Sequence, residues 1–213
     1  MRESHYENKS LGYGIGHTRL RKILKLVGPV KDLQILDVGC SRGYLGQRLK
    51  ALGNKVIGVE ISHLAAEQAR QVLDEVHSFD IEKAWPETLL TQSFDLVILA
   101  EVAEHVFDPV EVPKNVSLIL RSGGQIILTT PNFMTWTNRL RFIVGDFRYQ
   151  NEGMFDFGHI RFFTYTYLKT VLREAGFELV QEEHIFFPGK LTSIIKYWPG
   201  VFAWQFIIKA KLV

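Results

Sequence analysis

Two kinds of hydrophobic pattern alternate along the chain. Short, nearly continuous apolar runs, among them "LQILDVG", "KVIGVE", "FDLVILA" and "GGQIILTTP", are separated by stretches in which apolar residues recur every three or four positions. The first pattern suits strands buried on both faces, the second amphipathic helices. "HTRLRKILKLV" carries Leu20, Ile23, Leu24 and Val27 at helical spacing. "GYLGQRLKAL" predicts a helix closed by Gly53, and "SHLAAEQARQVL" another with Ser62 as its N-cap. A weak strand over 75–77 precedes "FDLVILA", and a helix over 110–120 precedes "GGQIILTTP". Strands and helices taking turns imply a parallel sheet covered on both faces. Further on, "TYTYLKTVLREAGF" places Leu168, Val171, Leu172 and Ala175 on one side of a helix stopped by Gly176. "ELVQEEHIFF" and "AWQFIIKAKLV" then predict two more strands, the second closing the sheet. Residues 132–163 show no clear period and are rich in phenylalanine, tyrosine and tryptophan. An insertion of this kind is expected to act as a lid over a site.

Composition narrows the class without naming it. At 213 residues, with 46% hydrophobic and 23% charged residues, the chain suits a single domain over 1–213. A net charge of +2 gives no reason to expect a nucleic-acid partner. Cys40 is the only cysteine and no basic-then-apolar signal precedes the first helix, so the expected location is the reducing cytoplasm. The aromatic region from Phe186 onward is broken by Pro188, Lys190, Lys196 and Pro199. It reads as core or as a membrane-surface face, not as a transmembrane segment.

The chemistry concentrates at strand ends. Open α/β sheets bind ligands beyond the carboxyl ends of their strands, where the turn "DVGCSRGYLG" falls. Gly39 and Gly43 let the backbone approach a ligand closely. A dinucleotide fingerprint fails, because Ser41 and Tyr44 stand where G-x-G-x-x-G needs glycine. Asp37 would also repel a pyrophosphate by several kcal/mol in a partly dry site. A dehydrogenase is therefore disfavoured. S-adenosylmethionine carries an ammonium and a sulfonium that Asp37 attracts, while Glu60 can accept from ribose hydroxyls and Asp80 from the adenine amino group, with Ile81 packing nearby.

With "ILDVGCSRG", "VIGVE", "FDIE", "FDLVILAEVAEHV", "LRSGGQIILTTPN" and "HIRFFTYTYLKTVLREAGFEL" in this order, the chain resembles the class I S-adenosylmethionine-dependent methyltransferases. The resemblance implies a Rossmann-like, seven-stranded, mostly parallel sheet with helices on both faces and an antiparallel last strand. It also implies a cofactor site drawn from Asp37, Gly39, Cys40, Gly43, Glu60, Ile61, Asp80, Ile81 and Ala100. Ser41 departs from the family pattern, which usually has the middle glycine of G-x-G there.

Three ionisable residues, Glu101, Glu104 and His105, follow the fourth apolar run, and their i, i+3, i+4 spacing gives them one face if a helix starts there. Acids near a helix start have an ordinary structural role. His105 or Glu101, joined by His159, can instead act as the base that takes a proton from a hydroxyl acceptor. "EVAEH" further resembles the Glu-x-x-Glu-His of metal-dependent ubiquinone-pathway O-methyltransferases and small-RNA end methyltransferases, whose further histidine falls on His159. That resemblance implies a magnesium, manganese or zinc site, ranked here below the base. Arg161 is a candidate for an anionic substrate. "GDFRYQNEGMFDFGHIRFFT" is similar to methyltransferases that accompany glycan assembly. The expected acceptor is thus a small molecule or a glycan, lipid-linked or free, methylated on oxygen; the alternatives are carbon or nitrogen methylation and a non-catalytic cofactor-binding role.

Overall fold

The computed structural model describes residues 16–151, 153–187 and 192–213. Eight strands form one sheet: β1 (Gln34–Val38), β2 (Lys55–Val59), β3 (Glu75–His77), β4 (Phe94–Ala100), β5 (Leu120–Pro131), β6 (Phe177–Glu182), β7 (Ile185–Phe186) and β8 (Ala203–Leu212). Their order is β3-β2-β1-β4-β5-β8-β6, with β7 also paired to β8. The first five strands pair in parallel, and β8 runs antiparallel between β5 and β6. This is the mostly parallel sheet with an antiparallel last strand expected from the sequence.

The nearly continuous apolar runs are explained by a core on each face, since successive strand residues point to opposite sides. Ile35, Leu96, Ile98, Ile127 and Ile207 face one side, where they meet Leu20, Ile23, Leu26 and Val27 of α1 (His17–Val27) and Leu45 and Leu49 of α2 (Tyr44–Ala51). Leu36, Val38, Val97, Leu99, Ile126 and Leu128 face the other. There they meet α5 (Glu111–Ile119) and α7 (Tyr165–Glu174) through Val112, Val116, Leu168, Val171 and Leu172. Between these lie α3 (His63–Ala69), capped by the Ser62 hydroxyl on the Ala65 N–H, and the short α4 (Glu87–Leu90).

Two expected boundaries shift, and one strand divides. α3 ends at Ala69, short of the predicted Leu73, and β5 begins at Leu120, ahead of the predicted Gly123. "ELVQEEHIFF" is β6 and β7 with a break at Glu183 and His184. At that break the buried His184 accepts the Ile207 N–H of β8 through Nδ1 (3.3 Å) and donates from Nε2 to Glu182 (2.9 Å). A side chain thus replaces a strand carbonyl in the ladder. The sheet consequently has eight strands in seven rows.

Residues 132–163 contain α6 (Trp136–Ile143), which the sequence pattern did not reveal. Phe133 stacks on Phe162 with ring centres 4.4 Å apart, and Phe142, Phe147 and the buried Phe155 complete a small aromatic cluster. This segment is anchored at its base by Asn132, which is fully buried and donates to the Ala203 carbonyl (2.8 Å). Two short helices, α8 (Thr192–Ile195) and α9 (Pro199–Phe202), precede β8. No helix among the described residues is long and apolar enough to cross a membrane.

Candidate active site

The turn after β1 folds back on the end of β2. The Gly39 and Cys40 N–H groups both donate to the Val59 carbonyl (2.8 and 3.0 Å). Glu60, just beyond β2, accepts the Ser41 N–H on one carboxylate oxygen and the Ser62 N–H on the other, each at 2.9 Å. Ser41 has φ +49°, in the left-handed region that favours glycine, which gives a physical reason for the glycine the family pattern has there. The Glu60 bond helps hold it in place. Gly39 is also left-handed, and a Cβ there would come within 2.6 Å of Val102. Gly43 has a different setting: its Cβ would meet Val72 at 2.7 Å, so its smallness serves packing of the turn against the segment after α3.

Asp37 closes this wall from within β1. It is buried, with Oδ2 lacking any hydrogen-bond partner. Burial raises its pKa to about 7, the charge of Glu60 raises it further within that value, and the Gly46 N–H pulls the other way. The same burial and the two nearby carboxylates push the Cys40 thiol well up, so this free cysteine is a poor nucleophile.

Beyond β4 the predicted helix face does not form. Glu101 has φ +61° and stands outside the single 3-10 turn of Ala103–His105. Its carboxylate meets Arg19 of α1 (3.0 Å) and the Thr129 hydroxyl (2.9 Å). Glu104 turns inward and is buried, with neither carboxylate oxygen hydrogen-bonded. Burial first, and the charge of Glu101 second, push its pKa well above the usual carboxylate range. His105 donates from Nδ1 to the Gly158 carbonyl (2.8 Å), and His159 from Nδ1 to the Met154 carbonyl (2.9 Å). Their rings lie edge to face, 4.8 Å between centres. A carbonyl can only accept, so in each neutral ring Nε2 carries the lone pair. Arg161 is committed elsewhere, donating to the Phe107 and Ile160 carbonyls.

A cavity of about 800 Å³ joins these walls. Asp37, Gly39, Cys40, Glu60, Ile61, Asp80, Ile81, Ala100, Glu101, His105 and His159 all line it. Gly43, Glu104 and Arg161 do not. Its size suits a cofactor and an acceptor together. The sequence reading missed Arg19, Met154, Trp204 and Gln205, which also line the cavity. No local motif marks them, because helix, insertion and last strand meet there only in the folded chain.

Residues 14–182 match the family described as a methyltransferase domain. The chain belongs to that family. Among curated proteins, this methyltransferase domain is 31% identical over 122 residues to a ubiquinone biosynthesis O-methyltransferase of Nitrosomonas europaea, covering 55% of the chain and 52% of that protein. It is 28% identical over 175 residues to the protein of the same name from Dinoroseobacter shibae, covering 77% of the chain and 67% of the relative. The chain spans about half the length of the first of these relatives. Among solved structures, a SAM-dependent methyltransferase from Archaeoglobus fulgidus superposes with TM-score 0.68 at 21% identity, covering 98% of both chains. Magnesium protoporphyrin IX methyltransferase from Synechocystis, solved with bound SAH, gives TM-score 0.67 at 14% identity, covering all of this chain and 98% of that one. At such identities these two show the fold, which is that of the S-adenosylmethionine-dependent class.

Proposed function

We propose that this methyltransferase domain moves the methyl group of S-adenosylmethionine to a hydroxyl oxygen of a small-molecule or glycan acceptor. The supporting observation is that one cavity carries Asp37, Glu60 and Asp80 on one wall and the paired imidazoles of His105 and His159 on another. In this reading Asp37 faces the cofactor's positive groups, Glu60 its ribose and Asp80 its adenine. The acceptor lies against Met154, Asp156 and His159, with residues 132–163 as its cover. A histidine Nε2 takes the hydroxyl proton while the oxygen attacks the methyl carbon; the O–CH₃ bond forms, the S–CH₃ bond breaks, and its electron pair stays on sulfur as the neutral thioether. Glu101 is a poorer base, because Arg19 and Thr129 already occupy its carboxylate. The lone, buried Cys40 thiol agrees with a reducing, cytoplasmic setting.

A second reading has its own observation. Glu104, His105 and His159 offer ligand atoms that all lie within 4.8 Å of one another, and both carboxylate oxygens of the buried Glu104 have no hydrogen-bond partner. The Nδ1 bonds to carbonyls are also those that commonly orient metal-binding imidazoles. These residues therefore fit a divalent cation. Its contribution, when bound, would be to acidify a coordinated acceptor hydroxyl.

The test is mass spectrometry of the purified protein for S-adenosylhomocysteine, followed by a panel of phenols, hydroxylated lipids and glycans with labelled methyl donor. His105→Ala or His159→Ala is expected to lower turnover about 10²–10⁴-fold and spare cofactor affinity. Restoration of chelated enzyme by a divalent ion favours the second reading. Full turnover of both variants after chelation overturns both roles.

A further inference from the structure

The α6 helix turns only Phe142 of its large apolar residues toward the protein. Trp136, Leu140, Ile143 and Val144 fall at i, i+4, i+7 and i+8 and so share one face. That face points to solvent: Ile143 and Val144 are 79% and 78% exposed, and Trp136 and Leu140 are exposed beside them. The opposite face sets two polar groups beside Phe142 against the protein. Asn138 is buried and donates to the Phe133 carbonyl (2.9 Å), and the Arg141 guanidinium lies 5.0 Å from the centre of the buried Phe155 ring. Ordinary packing of an amphipathic helix would place the apolar stripe inward, so the stripe is arranged for a partner.

Two features identify that partner. Residues 136–149, which carry the stripe, contain Arg139, Arg141 and Arg148 against the single acid Asp146. Residues 192–204 add Lys196 with no acid, so these two short segments hold a net +3 in a chain whose total is +2. The second segment is tied to the root of the first: Asn132, four residues before α6, bonds the Trp204 carbonyl through its N–H (2.9 Å) and the Gly200 carbonyl through its side chain (3.3 Å). It contributes exposed Tyr197, Trp198 and Trp204. An apolar stripe flanked by arginines, with tryptophan and tyrosine beside it, matches the composition of helices that lie in the interface of an anionic bilayer. A second copy fits less well, since a two-fold pairing across the stripe sets the same arginines against one another.

We infer that α6, with the aromatic segment before β8, docks this protein on the surface of an anionic phospholipid bilayer. Ile143, Val144 and Leu140 enter the acyl boundary, Arg139, Arg148 and Lys196 meet the headgroup phosphates, and Trp136, Tyr197 and Trp198 sit at headgroup level. Trp204 belongs to both the docking face and the cavity wall. The inference stands on this surface and not on the identity of the acceptor.

Co-sedimentation of the full chain with vesicles is the test, using phosphatidylcholine alone and phosphatidylcholine mixed equally with phosphatidylglycerol. Binding is expected on the mixed vesicles only and should weaken as salt rises. Ile143→Glu and Val144→Glu should each weaken it about tenfold or more, through loss of a buried aliphatic side chain. Arg148→Glu, at a side chain 81% exposed whose Nε pairs with Asp146 (3.0 Å) and leaves the rest of the guanidinium to solvent, should weaken it without touching the stripe. Thermal melts check that these variants fold; should a glutamate variant not fold, Arg148→Glu carries the test alone. Absence of binding to mixed vesicles overturns the inference, as does binding that these variants leave unchanged. A solution dimer dissociated by Ile143→Glu also overturns it, by assigning the stripe to a second copy. None of these outcomes depends on methyl transfer, so this inference and the proposed reaction fail separately.

Discussion

Replacing Asp37 with asparagine should stabilise the ligand-free protein at neutral and alkaline pH while weakening its hold on the cofactor. Asp37 is buried, one of its oxygens has no partner, and Glu60 lies close enough to oppose its charge. Its pKa rises from 3.8 to about 7 on folding. Because the folded value is the higher one, the folded state binds the extra proton, and stability declines as pH rises from about 4 to about 7. The gap of roughly three units at 1.36 kcal/mol each gives a loss of about 4 kcal/mol, nearly complete by pH 7. Asparagine stays neutral throughout and removes this slope. Urea unfolding of both proteins at steps from pH 4 to pH 8 should show curves that nearly meet at pH 4 and separate by up to about 4 kcal/mol at pH 8. Binding of a cationic cofactor should draw the proton off Asp37. Wild-type affinity should therefore climb through the same window, with proton release visible as a buffer-dependent binding enthalpy. Parallel stability curves for the two proteins would refute the argument, because they would mean that Asp37 is already ionised at no cost.

Glu60→Gln should weaken S-adenosylmethionine binding by about 1.5–3 kcal/mol, or ten- to a hundredfold, in calorimetry. It also removes the second cause of the raised Asp37 pKa, so the stability decline described above should begin at the same pH but end at a lower one and be smaller. Gly43→Ala should cost about 1–3 kcal/mol of stability, since its Cβ lies 2.7 Å from Val72 at φ +79°, with cofactor affinity nearly unchanged. Weaker cofactor binding with unaltered urea unfolding would instead return Gly43 to the site.

Much of the fold was legible because both sheet faces are covered. Runs such as "FDLVILA" show no alternation, yet their length and their acid or glycine ends marked the strands, and Gly53 and Gly176 ended helices where left-handed backbone is required. What stayed hidden was set by contacts distant in sequence. The break at His184 depends on an N–H of β8, and nothing local in "QEEHIF" announces it. The shared helix face of Glu101, Glu104 and His105 failed because Glu101 adopts a left-handed conformation and pairs with Arg19 from the first helix. The three residues are neighbours without a shared helix face: Glu101 and His105 line the cavity, while the buried Glu104 keeps a carboxylate oxygen within 4.8 Å of ligand atoms of His105 and His159. In residues 132–163 the density of aromatics hides any period, and the exposed stripe of α6 has no local signal among them.

The carbonyl of Glu104 accepts the N–H groups of both Ile160 and Arg161 (2.9 and 3.1 Å), while the Gly158 carbonyl receives His105. The return limb of residues 132–163, which bears His159, is thereby stapled to the turn that bears His105. The outgoing limb, from α6 to about Tyr149, carries no such bond to that turn among the described residues. Mutational drift can accordingly be absorbed unevenly. Outside Asn138, Arg141, Phe142 and Phe147, which pack on the protein, the outgoing limb can exchange its exposed side chains, whereas a register change in Gly158–Arg161 would displace His105 and His159 together. Residues 132–163 thus contain a half whose surface can vary and a half held to the turn after β4, so changes in the first can leave the spacing of His105 and His159 as it is.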